Sequence, residues 1–213
     1  LKEKRELTRS EEVMNAVSHG IGVLLGITAL VVLLVSASQS GNAWHMVSYS
    51  IYGATLIFLY LASTLYHSMP KGRVKDVFKI IDHSAIFLLI AGCYTPITLI
   101  ALRGALGWTI FGIVWAIAIA GIVFKIFCIQ KFKMLSTVMY VAMGWIIVFA
   151  IKPLAELLSM KSMVFLVAGG LIYTIGAVFY SLKGLKYNHA IWHMFVLGGS
   201  ACHFFTMFYM LPH

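Results

Sequence analysis

Apolar stretches of about twenty residues alternate with short polar breaks along almost the whole chain. A helix needs about 20 largely apolar residues to cross a bilayer. Seven stretches meet that length, at roughly 16–37, 44–66, 79–101, 107–127, 134–153, 160–181 and 189–211. The breaks carry turn and charge chemistry: SASQSGNA, SMPKGRVKD, Arg103-Gly104, QKFK, LSMKS and KGLKYN. All six connections are short, so consecutive helices should run antiparallel. The pattern predicts an all-α integral membrane protein, a bundle of seven transmembrane helices, in one domain. Residues 1–15 form a polar N-terminal tail and 16–213 the transmembrane domain. The tail is mixed in charge and does not resemble a cleaved signal peptide.

Composition supports the same class. Of 213 residues, 61% are hydrophobic and only 11% charged, against roughly 45–50% and 25% in soluble domains. So few charges cannot cover a water-soluble fold. The net charge of +9 would suggest nucleic acid in a soluble protein. Here the basic residues are scattered through short loops with no contiguous patch, which argues against a nucleic-acid partner. They read as topology signals and contacts to membrane lipids. Thirteen Lys and Arg, including Lys71, Arg73, Lys75 and Lys125, fall on one side, and only Arg103, Lys152 and Lys161 on the other. The positive-inside rule therefore places the N-terminus in the cytoplasm and the C-terminus outside, in the cell membrane. Cys93, Cys128 and Cys202 form no CxxC pair and read as reduced packing residues.

Once the helices are oriented, ionisable residues gather in one layer. Glu11, Glu12, Asn15 and His19 lie where the first helix starts, and Ser63 and His67 where the second ends. Asp82 and His83 lie where the third starts, and His189 and His193 where the seventh starts. Ionisable groups in spans are costly and face the bundle interior or a cavity. His189 and His193 are spaced i, i+4, so both rings share one helix face and can bind one metal ion. His67 arrives at the same depth, and three His ligands with one open position is a known catalytic zinc arrangement. Asp82 suits general acid–base work beside such a site, and Ser63, one turn before His67, offers a hydroxyl on the same face. Plainer readings stand beside these. His67 and His189 could be interfacial, Asp82 a dipole-favoured helix start and Ser63 a small packing residue. Glu11 and Glu12 read best as capping or dipole-favoured residues. The plainer readings leave the shared depth unexplained, and imidazoles alone do not settle zinc against another metal.

The motifs EEVMNAVSHGIG, STLYH from Ser63, DHSAIFLLIAGCYTP from Asp82, and HAIWH with a later CHF resemble the hemolysin III family. This is the bacterial branch of the progestin and adipoQ receptor superfamily, and the resemblance runs from about Glu11 to Tyr209. It implies zinc held by His67, His189 and His193, with Asp82 and Ser63 beside it. Relatives in the superfamily include alkaline ceramidases, which implies a lipid amide or ester hydrolase serving membrane-lipid homeostasis. The bacterial branch itself is linked to haemolytic pore formation, an alternative expectation, and a zinc-stabilised sensor of membrane state is a third. His83 stands where the receptor branch has Tyr, and the chain lacks that branch's long N-terminal domain. His203, ten residues past His193, is too far along the helix to share the ion and reads as a hydrogen-bonded buried residue.

Overall fold

The computed structural model describes residues 7–128, 133–182 and 185–212. Those residues are mostly helical, with seven helices long and apolar enough to cross a membrane. They are α1 (Arg9–Ser40), α2 (Ala43–Ser68), α3 (Arg73–Pro96), α4 (Ala105–Cys128), a fifth span built from α5 (Lys133–Gly144) and α6 (Ile151–Leu157), α7 (Met160–Ser181) and α8 (Asn188–Phe208). The protein is a multi-pass membrane protein, as the apolar pattern predicts.

Two helices begin earlier than their apolar stretches, each with a local cause. At α1, Thr8 caps the first turn: its hydroxyl accepts from the Glu11 N–H, and the Glu11 carboxylate accepts from the Thr8 N–H at 2.9 Å. This reciprocal capping box carries the helix into the predicted tail, so residues 9–15 are helical. Glu11, Glu12, Asn15 and His19 are therefore fixed on a rigid element. At α3 the helix starts at Arg73, and the acidic residue of its first turn is Asp76. Asp82 lies nine residues further, about 14 Å along the axis. It is not the dipole-favoured helix start that the sequence leaves open.

The fifth span departs from the single helix expected over 134–153. Between α5 and α6 the backbone tightens to a 3₁₀ segment, Trp145–Ala150. Pro153 lacks an N–H, and its ring crowds the carbonyl four residues back, at Phe149. The Tyr94 hydroxyl on α3 serves backbone groups where α5 passes into the 3₁₀ segment. It lies 3.0 Å from the Met143 carbonyl and 2.8 Å from that of Gly144 as donor, and accepts from the Ile147 N–H at 2.8 Å. Pro96 has a related effect on α3, which continues as a π-helical turn over Ile97–Ala101. There the Thr98 hydroxyl donates to the Tyr94 carbonyl.

The third span is the centre of the bundle: 72% of its apolar window is buried, against 28% for α1 and 17% for the fifth span. Small residues let neighbours approach closely. A Cβ on Gly22 would meet the Tyr60 ring at 2.6 Å, and one on Gly199 the Tyr173 ring at 2.8 Å. Those tyrosines converge on α8, where the Tyr60 hydroxyl donates to Ser200 Oγ at 2.8 Å and the Tyr173 hydroxyl lies 2.8 Å from the same atom. Alternation of direction brings the start of α1, the end of α2, the start of α3, the ends of α4 and α7 and the start of α8 to one end of the bundle. That end holds the polar layer.

Candidate metal centre

Three of the predicted site residues come together. The ligand atoms of His67, His189 and His193 all lie within 4.8 Å of one another. His67 Nε2 and His189 Nε2 are 3.1 Å apart. Two nitrogens bound to one tetrahedral zinc at about 2.0–2.1 Å would sit about 3.3 Å apart, so the pair needs little adjustment. His67 and His193 are 4% and 1% exposed, at a depth where an unmatched imidazole is costly.

The groups behind the rings decide which nitrogens face inward. His67 Nδ1–H donates to Glu12 Oε2 at 2.6 Å, a charge-assisted bond that fixes the tautomer. Glu12 Oε1 is paired with Lys75 Nζ at 2.9 Å. His193 Nδ1–H is shared between the Asn15 carbonyl at 3.2 Å and Ser18 Oγ at 3.0 Å. Ser18 gives its own proton to the Asn15 carbonyl, which frees its oxygen to accept. With both Nδ1 atoms committed, Nε2 is the nitrogen left to each ring as a ligand, and that of His67 faces His189. A set of neutral, oriented imidazoles is chemically suited to zinc. Glu11 is a capping residue, as expected, and its Oε1 also accepts from the Tyr187 N–H. Glu12 is different: its carboxylate holds a candidate ligand.

A cavity of about 170 Å³ opens beside the histidines, with Asp82, His19, His189 and His193 in its lining. Asp82 is 8% exposed, and its Oδ2 lies 3.4 Å from His83 Nδ1, whose proton goes to the Lys79 carbonyl at 2.8 Å. Ser63 is 1% exposed one turn before His67, and its hydroxyl has no hydrogen-bond partner among the described residues. It does not line the cavity, so only Asp82 of the two predicted catalytic residues faces that space. His19 stacks on the His193 ring, with centroids 3.5 Å apart and planes 9° from parallel.

The model of the haemolysin-III related family matches residues 7–204. The chain belongs to that family. It is 52% identical over 203 residues to Hemolysin-3 of Bacillus cereus, covering 95% of this chain and 93% of that one. It is 50% identical to the Hemolysin-3 homolog of Bacillus subtilis, with 95% of each chain covered. A more distant relative is the human monocyte to macrophage differentiation factor, 28% identical over 92% of this chain and 83% of its own length.

For this member of the haemolysin-III related family, sequence reasoning missed three contributors. Thr8 and Glu11 carry a T-x-x-E capping signature that would have placed Glu12 on the first helix, together with Ser18 of the predicted 16–37 span. Nothing local marks Glu12 as a partner of His67, 55 residues away. Lys125, counted as a loop charge, is 1% exposed and lines the cavity. His203 also differs from expectation: its ring packs on Tyr173, but neither ring nitrogen has a hydrogen-bond partner among the described residues.

Proposed function

We propose that this protein is a zinc-dependent hydrolase of a lipid amide or ester, with its site near the cytoplasmic leaflet. The observation that carries the reading is the oriented histidine cluster opening onto an apolar cavity that Asp82 also lines. Zinc bound here would supply a Lewis acid that lowers the pKa of water to about 7. His67, His189 and His193 would hold the ion, and Glu12, Ser18 and the Asn15 carbonyl hold two of the rings. Asp82 takes the proton of the attacking water and returns it to the leaving nitrogen or oxygen. The apolar wall binds the acyl chain and excludes bulk water, and Ser63 offers a buried hydroxyl, unpartnered among the described residues, one turn before His67. The excess of Lys and Arg supports a cytoplasmic placement for this end: twelve to three remain without Lys125.

The test has two parts. Protein purified without a His tag should contain close to one zinc per chain, and His67→Ala, His189→Ala and His193→Ala should each lower that content severalfold. Wild type should cleave a ceramide or phospholipid in a chelator-sensitive way, whereas Asp82→Ala should keep its zinc and lose turnover. Zinc well below half an equivalent, or turnover unchanged in Asp82→Ala, refutes the reading. The names of the Bacillus relatives favour a second reading, cytolysis by pore formation. Release of dyes of graded size from liposomes tests it, since a pore gives a sharp size cutoff.

A further inference from the structure

Lys125 stands three residues before the end of α4. A lysine there in a lipid-facing helix would lay its stem along the apolar surface and put its ammonium among headgroups. Lys125 instead turns inward. It is 1% exposed, its Nζ lies 5.5 Å from the centroid of the Tyr140 ring on α5, and it lines the cavity together with Asp82, Ser136 and Thr137. Among the described residues no carboxylate lies within ion-pair distance of its Nζ. Burying a cation in a span is expensive and marks a functional position. The aromatic face offsets part of that cost and leaves the ammonium free to take a further anionic partner.

The rest of the cavity indicates the shape of that partner. On α3 its lining runs from Asp82 through Ile86, Leu89 and Ile90 to Ile97, fifteen residues or about 22 Å of helix axis. That exceeds one leaflet's share of the roughly 30 Å hydrocarbon core. The space is a slot for one hydrocarbon chain: Asp82, Lys125, His189 and His193 line one end, and His203 lines it further along. Asp82 would repel an anion on its own side, so negative charge is favoured towards Lys125.

We propose that Lys125 makes this cavity selective for a long-chain amphiphile with an anionic head, a carboxylate or a phosphate ester, over a neutral one of the same length. The inference names the substrate or product class of the hydrolase reading and rests on the same cavity. It does not depend on the metal or on turnover.

Equilibrium binding to metal-stripped protein in neutral detergent tests it, with palmitate, hexadecyl phosphate and hexadecanamide as probes. Wild type should bind both anions about tenfold or more tightly than the amide, the range of one hydrogen bond to a charged group. Lys125→Met keeps the bulk and removes the charge; it should lose that preference while binding the amide as before, which also shows that it is folded. Lys125→Arg should keep the preference. Equal wild-type affinity for charged and neutral probes, or an undiminished preference in Lys125→Met, overturns the proposal. So does an anion preference that appears only with zinc restored, because the metal would then hold the head group. Catalytic failure with this binding intact would overturn the hydrolase alone.

Discussion

Replacing Glu12 by Gln tests the metal centre at its least obvious point. The Glu12 carboxylate accepts from His67 Nδ1–H at 2.6 Å and is itself paired with Lys75 at 2.9 Å. Gln retains an acceptor oxygen for the imidazole but loses the charge. Ala loses both and frees the ring to rotate. Hydrogen bonds to charged groups contribute about 1.5–3 kcal/mol, and the groups behind metal ligands typically set about 10- to 100-fold in metal affinity. The Glu12 side chain is 22% exposed, which screens part of the charge. Glu12→Gln should therefore weaken zinc binding about tenfold, near the lower bound, and Glu12→Ala should approach about 100-fold. The assay is competition for zinc against a chromophoric chelator in detergent. Glu11→Gln is the control: that carboxylate caps α1 and accepts from Tyr187, so its loss should lower thermal stability and leave zinc affinity nearly unchanged. Affinities within twofold of wild type for both Glu12 variants would refute the role assigned to this carboxylate.

Tyr94→Phe removes the hydroxyl that serves the Met143 and Gly144 carbonyls and the Ile147 N–H. It should destabilise the fold by about 1–3 kcal/mol, the cost of leaving buried polar groups unmatched, as measured by denaturation in mixed micelles. Gly199→Ala places a Cβ 2.8 Å from the Tyr173 ring. It should destabilise by about 1–3 kcal/mol through overpacking, and Tyr173→Ala in the same chain should recover part of the loss. Ser18→Ala leaves His193 Nδ1–H with the Asn15 carbonyl alone. It should weaken zinc binding less than Glu12→Ala does, in the same chelator competition, because a neutral acceptor is lost while another remains.

Much of this protein is legible without coordinates because membrane burial is a local property. Twenty apolar residues in a row must form a helix, since lipid offers backbone groups no other partner. Seven such runs separated by short loops leave an antiparallel bundle. The i, i+4 spacing puts His189 and His193 on one face, and counting turns brings His67 and Asp82 to the same depth. Depth along a helix is linear in sequence, but direction around it is not. Which side of each helix meets a neighbour is decided by packing between distant segments, with Gly22 under Tyr60 and Gly199 under Tyr173 setting how closely they approach. That rotation turns Glu12 onto His67 and the Asn15 carbonyl onto His193 and brings Lys125 inside, although its position in the sequence suggests a loop charge. It also sends the Tyr94 hydroxyl into the fifth span, where Pro153 alone predicts only a weakened helix. Hydropathy determines that the polar layer exists and at what level; the tertiary fold determines which of its members touch, because hydrogen bonds act over about 3 Å and are blind to sequence distance.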